Sequence, residues 1–163
     1  MKKKTDYSKV LPSLVEVLPD RIVFVYDGLG ISLNHYKKMH YSQIKKYRLR
    51  YKAITDMLLL TIVKPDNYRV VDGGIELVQP LFDSCSVRTT LSFSLKRFRD
   101  VENYIQKVLI DGITDTNLLE DDNYTILKES TVTIDPDIRE DKIRVEFIGS
   151  YKHELIVKEY NIC

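Results

Sequence analysis

The chain has 163 residues, 44% of them apolar and 30% charged, which is enough for one real core, or one core with an appendage, and excludes two large domains. No stretch approaches the roughly 20 apolar residues that a membrane-spanning helix needs. The net charge of +1 is unevenly spread: residues 1 to 110 hold 19 Lys and Arg against 11 Asp and Glu, net +8, whereas residues 111 to 163 hold 6 against 13, net −7.

Opposite signs in the two stretches predict that they attract and pack together, the alternative being a basic binding surface with an acidic tail. At the start of the chain Lys2, Lys3 and Lys4 are followed by polar residues where a secretory signal would need its apolar segment. The only cysteines are Cys85 and Cys163, too few for a disulfide framework. A cytoplasmic setting is expected.

The first predicted strands cover residues 14 to 18 and 21 to 26, with Pro19-Asp20 as the turn between them. In the second, Ile22, Phe24 and Tyr26 share one side and Val23 and Val25 the other. Asp27-Gly28 marks a turn or bulge, after which residues 29 to 33 resume the strand pattern. Residues 39 to 44 follow, and then a clean alternation: Lys46, Arg48, Arg50 and Lys52 on one face, Tyr47, Leu49 and Tyr51 on the other. Residues 56 to 64 are apolar on both faces and read as a central strand.

Asp72-Gly73-Gly74 between two β-rich runs predicts a hairpin over residues 69 to 78. Residues 88 to 93 alternate again. Leu95, Phe98, Val101, Ile105, Val108 and Leu109 then recur at spacings of three and four and predict one amphipathic helix, with Ser94 as N-cap and Gly112 just past its end. Residues 113 to 123 are polar and acidic and read as a linker. Three more strands are expected over residues 124 to 134, 142 to 148 and 154 to 160.

Several strands followed by a single amphipathic helix is the order of a pleckstrin-homology-like fold. Residues 14 to 110 resemble the bacterial PH-like and GRAM-like families, through Ile31-Ser32-Leu33, the segment His40-Tyr41-Ser42-Gln43-Ile44-Lys45-Lys46, residues 57 to 63, and the closing Leu91-Ser92-Phe93-Ser94 that leads into residues 97 to 109. The resemblance implies a mainly β (α+β) protein: an antiparallel barrel or sandwich over residues 14 to 110, closed by one C-terminal helix, with residues 113 to 163 as a small β-rich extension packed on it or on a partner. The turn Leu18-Pro19-Asp20-Arg21 is short and not strongly basic, unlike the first loop of phosphoinositide-binding members.

Candidate sites are few. Lys45, Lys46, Arg48, Arg50 and Lys52, in a run with no acidic residue between Tyr36 and Lys52, form a candidate anion or phosphate site, the last four on one predicted strand face. An ordinary solvated face is the competing reading and the favoured one. His35 and His40 have no Cys, Asp or Glu between them to complete a metal shell, so no metal is expected. Glu120-Asp121-Asp122 and the group Asp135, Asp137, Glu140 and Asp141 fall in loop-like stretches rather than in a buried carboxylate pair. Gly28 and Gly30 lack the third glycine of a dinucleotide loop, and Cys85 has no histidine near it in sequence.

The sequence thus points to a non-enzymatic binding module or scaffold for protein-protein interaction or self-association, without a cofactor. The alternatives are a peripheral module on an anionic membrane surface at the inner face of the membrane, and an enzyme whose site is assembled from scattered residues. Nucleic acid is not an expected partner.

Overall fold

The computed structural model describes residues 9–121 and 123–156. Strand β1 (Leu11–Leu18) turns at Pro19-Asp20 into β2 (Arg21–Asp27), and a short β3 (Ile31–Ser32) leads into the helices α1 (Leu33–Lys37) and α2 (Tyr41–Leu59). The hairpin β4 (Tyr68–Val71) and β5 (Gly74–Leu77) follows, then β6 (Cys85–Ser92), β7 (Tyr104–Ile105), α3 (Lys107–Thr114), β8 (Leu127–Ile134) and β9 (Lys142–Ile148).

Five of these strands make one open sheet in the order β1-β2-β9-β6-β8, antiparallel except for the parallel β6 and β8 pair. Alternation fixes which face is buried. Ile22, Phe24 and Tyr26 of β2 lie in register with Phe147, Val145 and Ile143 of β9, and these with Val87, Thr89 and Leu91 of β6. All nine are buried, and α2 and α3 cover this face to give a two-layer α+β fold. Along the other face Arg21 and Arg144 pair with Glu146, whose side chain is 8% exposed and accepts from Arg21 at 3.1 Å.

The segments predicted as strands over residues 39 to 44, 46 to 52 and 56 to 64 are instead one helix, α2, with the turns that end it. Over seven residues Tyr47, Leu49 and Tyr51 fit a period of two. Over nineteen, the buried positions Tyr47, Tyr51, Ile54 and Leu58 recur at four, three and four, and Leu49 is 55% exposed. His40 starts the helix in a capping box with Gln43. Tyr51 meets Tyr26 edge to face at 6.2 Å, and the Tyr26 hydroxyl bonds the Thr55 hydroxyl at 2.8 Å, so the helix is fitted to the sheet by both packing and a satisfied buried polar pair.

The predicted helix at residues 95 to 109 is also corrected. Residues 93 to 100 are irregular, residues Val101–Asn103 make one 3-10 turn, Tyr104 and Ile105 pair with β3, and only from Lys107 does the chain coil as α3. Leu95 is 70% exposed and Phe98 fully so, and neither contributes to the core. Ser94 caps nothing; its backbone N–H and hydroxyl both donate to Asp141. Gly112 lies inside α3 rather than beyond it, where a Cβ would come within 2.7 Å of the Arg48 carbonyl and 2.8 Å of the Tyr51 Cβ.

Among the described residues no closed barrel forms. The helix that would close one comes between β3 and β4, and β9, from the stretch read as an added extension, lies between β2 and β6. The boundary drawn at residues 110 to 113 falls within α3. Residues 113 to 121 are not a solvated linker, since Leu118 and Leu119 are buried in the core and Leu81 N–H donates to the Leu118 carbonyl. The strand expected from residue 29 shortens to β3, because the Ser32 side chain caps α1.

The hairpin at residues 69 to 78 is present, with Gly73 at φ +84 in its two-residue turn, a conformation that favours glycine. Of residues 154 to 160, Leu155 bridges to Val63; residues 157 to 160, with Lys2, Lys3, Lys4 and Cys163, lie outside the described residues. The attraction of the two charge halves is visible as Arg21–Glu146, Arg48–Asp115 and Lys64–Glu154. Among the described residues, no helix is long and apolar enough to cross a membrane.

The crossing of α3 over α2 supplies a stability test. Gly112→Val puts methyl groups against the α2 backbone, which cannot move aside as a flexible side chain can, and is expected to lower the unfolding free energy by about 1–3 kcal/mol in urea denaturation. An unchanged midpoint would show that the helices are not held this close.

Candidate functional site

Helix α2 scatters the basic residues that a strand would have aligned, because each position turns by about 100° from the last. Arg48 makes two bonds of 2.6 Å to the carboxylate of Asp115, beside α3. Arg50 donates to the Val10 carbonyl at 3.0 and 3.2 Å. Lys52 turns inward to Asp56 at 2.7 Å and to the Ile75 carbonyl. Lys45 and Lys46 stay exposed. Three of the five are therefore engaged by the fold itself.

The Lys52–Asp56 pair ties α2 to the hairpin. Asp56 Oδ2 also accepts from the Ile75 N–H at 3.3 Å, so the pair meets both backbone groups of Ile75. A Cβ at Gly74 would lie 1.9 Å from that oxygen, which accounts for glycine there. Asp56 Oδ1 is buried with no hydrogen-bond partner, and burial pushes the carboxyl above its ordinary range against the pull of Lys52.

A different surface brings free cations together with exposed apolar groups. Residues 93 to 101 and residues 134 to 139 form the walls of a groove of about 230 Å³, lined by Phe93, Val101, Ile134, Pro136 and Ile138 and by three arginines, Arg97, Arg99 and Arg139. The loop that carries Phe98 is held at several points. Ser94 is fixed by Asp141, and Arg99 stacks 3.7 Å above the Phe93 ring while donating to the Tyr104 hydroxyl at 2.9 Å. Phe98 lies wholly in solvent beside Leu95, with Val101 at 41% and Ile138 at 44% exposed. Arg97 and Arg139 are exposed and make no hydrogen bond or ion pair with any described residue.

Sequence reasoning missed this surface because the same Leu95, Phe98 and Val101 spacing that marks it was read as a helix face. The remaining candidates serve the fold. His40 caps α2, His153 bonds Asn67 at 2.6 Å, and the Ser32 side chain accepts from the His35 N–H. Asp141 anchors Ser94, Glu140 pairs with Lys142, and Asp135 accepts from the Asp137 N–H. Cys85 is buried, and desolvation pushes its thiol up to about 12, the opposite of an activated nucleophile. A second, wider cleft of about 520 Å³ lies between Pro19 and residues 151 to 155, where Tyr151, Lys152, His153 and Glu154 are all bonded within the fold.

Fold and surface together define an α+β protein with an open mixed sheet and an exposed apolar-cationic groove at one end of it. No protein-family model matches the chain, and no curated protein matches it.

Two measurements follow from the buried groups. An acid whose folded-state pKa lies above its unfolded value of 3.8 holds its proton more tightly in the fold, so the fold loses stability as pH rises from about that value through the raised one. Urea denaturation of wild type beside Asp56→Asn should therefore show the difference moving in favour of the variant as pH rises from about 4 to 7; a constant difference would mean that the carboxylate is not desolvated. In a Cys163→Ser background, Cys85 should react with a thiol reagent at pH 8 far more slowly in the native protein than in urea, and equal rates would contradict its burial.

Proposed function

We propose that this protein is a non-enzymatic binding module that docks a protein partner through the groove between residues 93–101 and 134–139. The observation that carries this reading is Phe98, a large aromatic side chain wholly in solvent on a loop that is otherwise pinned by Asp141 and by the stacking of Arg99 on Phe93. An unpinned loop could turn an aromatic ring inward. This one is held in a shape that presents Phe98 and Leu95 outward, at a cost in exposed apolar area that a docked surface removes.

The composition of the patch supports a protein as the occupant. Aromatic and arginine side chains carry a disproportionate share of binding energy at protein interfaces, and here Phe93, Phe98, Arg97, Arg99 and Arg139 line one concavity. The apolar floor gives an anchor side chain somewhere to be buried, and the arginines form a polar rim.

The arrangement that suggested a PH-like domain, strands closed by a helix over residues 95 to 109, is not what carries this reading. The basic strand face that suggested an anionic membrane does not carry it either, since Arg48, Arg50 and Lys52 are engaged by the fold.

Selection of a phage-displayed random peptide library on immobilised protein tests the reading directly. Enriched peptides should bind the wild type and lose binding to a Leu95→Ser, Phe98→Ser variant that melts at the wild-type temperature, as expected when both replaced side chains are exposed. Peptides that bind both proteins equally, or no enrichment at all, would sink it.

A further inference from the structure

We infer that Arg97 and Arg139 form a clamp for a carboxylate, so that the segment docking in the groove is acidic, with glutamate or aspartate beside an apolar anchor residue. This rests on the groove being the binding surface and specifies which partner chemistry it accepts.

The inference comes from how arginines are used elsewhere in the chain. Arg21, Arg48, Arg69 and Arg144 each meet a carboxylate of the fold, Arg50 meets a backbone carbonyl, and Arg99 is spent on Phe93 and Tyr104. Arg88, on the outer face of β6, and Arg97 and Arg139 have no such partner among the described residues, and of these three only Arg97 and Arg139, from two segments distant in sequence, line a common groove, of about 230 Å³. The two guanidiniums come from the two segments that line the groove, and each offers a planar fork of donors matched to a carboxylate.

Asp135 lines the groove but uses Oδ1 to accept from the Asp137 N–H at 2.9 Å. The same groove is lined by Phe93, Val101, Ile134, Pro136 and Ile138, so a carboxylate bound in it would be partly shielded from water, which strengthens its bonds to the clamp.

A protein segment fits these features better than an anionic bilayer does. Asp100, Glu102 and Asp137 are exposed around the same patch and would be pressed against lipid phosphates by a flat surface. A segment that enters the groove presents its anion over a smaller footprint than a bilayer does and so meets fewer of these acids.

Fluorescence anisotropy with three labelled peptides, identical except that a central leucine-phenylalanine anchor is flanked by glutamate, glutamine or lysine, tests the clamp. The glutamate peptide should bind most tightly and weaken as salt rises, and Arg97→Gln with Arg139→Gln should reduce its affinity by about tenfold, a clearly larger loss than the same variant causes for the glutamine peptide. Library peptides that depend on Leu95 and Phe98 but show no acidic preference, and no loss in the double arginine variant, would overturn the clamp and leave the groove as a binding surface. The absence of any peptide dependent on Leu95 and Phe98 would overturn both. Binding to phosphatidylserine vesicles through Arg97 and Arg139, with no binding of the glutamate peptide, would overturn the clamp in favour of a membrane.

Discussion

Strand β9 is the element on which the rest of the architecture hangs. It pairs with β2 along all seven of its residues and with β6 along the same seven, and among the described residues no other strand joins those two. Without it the sheet is two fragments, β1 with β2 and β6 with β8, each with one face of Ile, Phe, Val or Leu and neither able to cover it. Its own pattern meets that demand: Ile143, Val145 and Phe147 face the core, while Arg144 and Glu146 face outward, where Arg21 and Arg144 attend Glu146. Because so many of the core contacts join residues far apart in the chain, folding must close long loops before the sheet repays their entropy.

The helical layer is fitted to this sheet by a few close contacts. Tyr51 and Thr55 reach Tyr26 on β2, and Gly112 lets α3 approach the backbone of α2. The Lys52–Asp56 pair then fastens the β4 and β5 hairpin to the same helix. Its carboxylate has one buried oxygen unpartnered, so the link is made at an electrostatic cost.

How much of this was legible depends on the range over which each signal acts. β2, β9 and the hairpin could be read because alternation and turn residues such as Asp72-Gly73 are local. Helix α2 could not, since residues 46 to 52 fit both periods and only Ile54 and Leu58, further along, decide between them. Leu118 and Leu119 look like two apolar residues in an acidic stretch until the fold brings the core to them. The charge run from Lys45 to Lys52 suffered from the same error of period: a strand gathers alternate residues on one face, and a helix sends them to different sides. The groove was the least legible feature of all, because nothing in a linear reading says that Leu95 and Phe98 will be left outside.

The groove has no existence apart from the folded chain. One wall belongs to the segment after β6 and the other to the connection between β8 and β9, and only the assembled sheet brings Arg97 and Arg139 onto the same concavity. Any occupant therefore binds the native state and not the unfolded one, and mass action makes occupancy a source of stability, about 2.7 kcal/mol for a ligand present at one hundred times its Kd. For a partner of the kind we propose, its abundance and the lifetime of this protein would then rise and fall together, without a single change in the core.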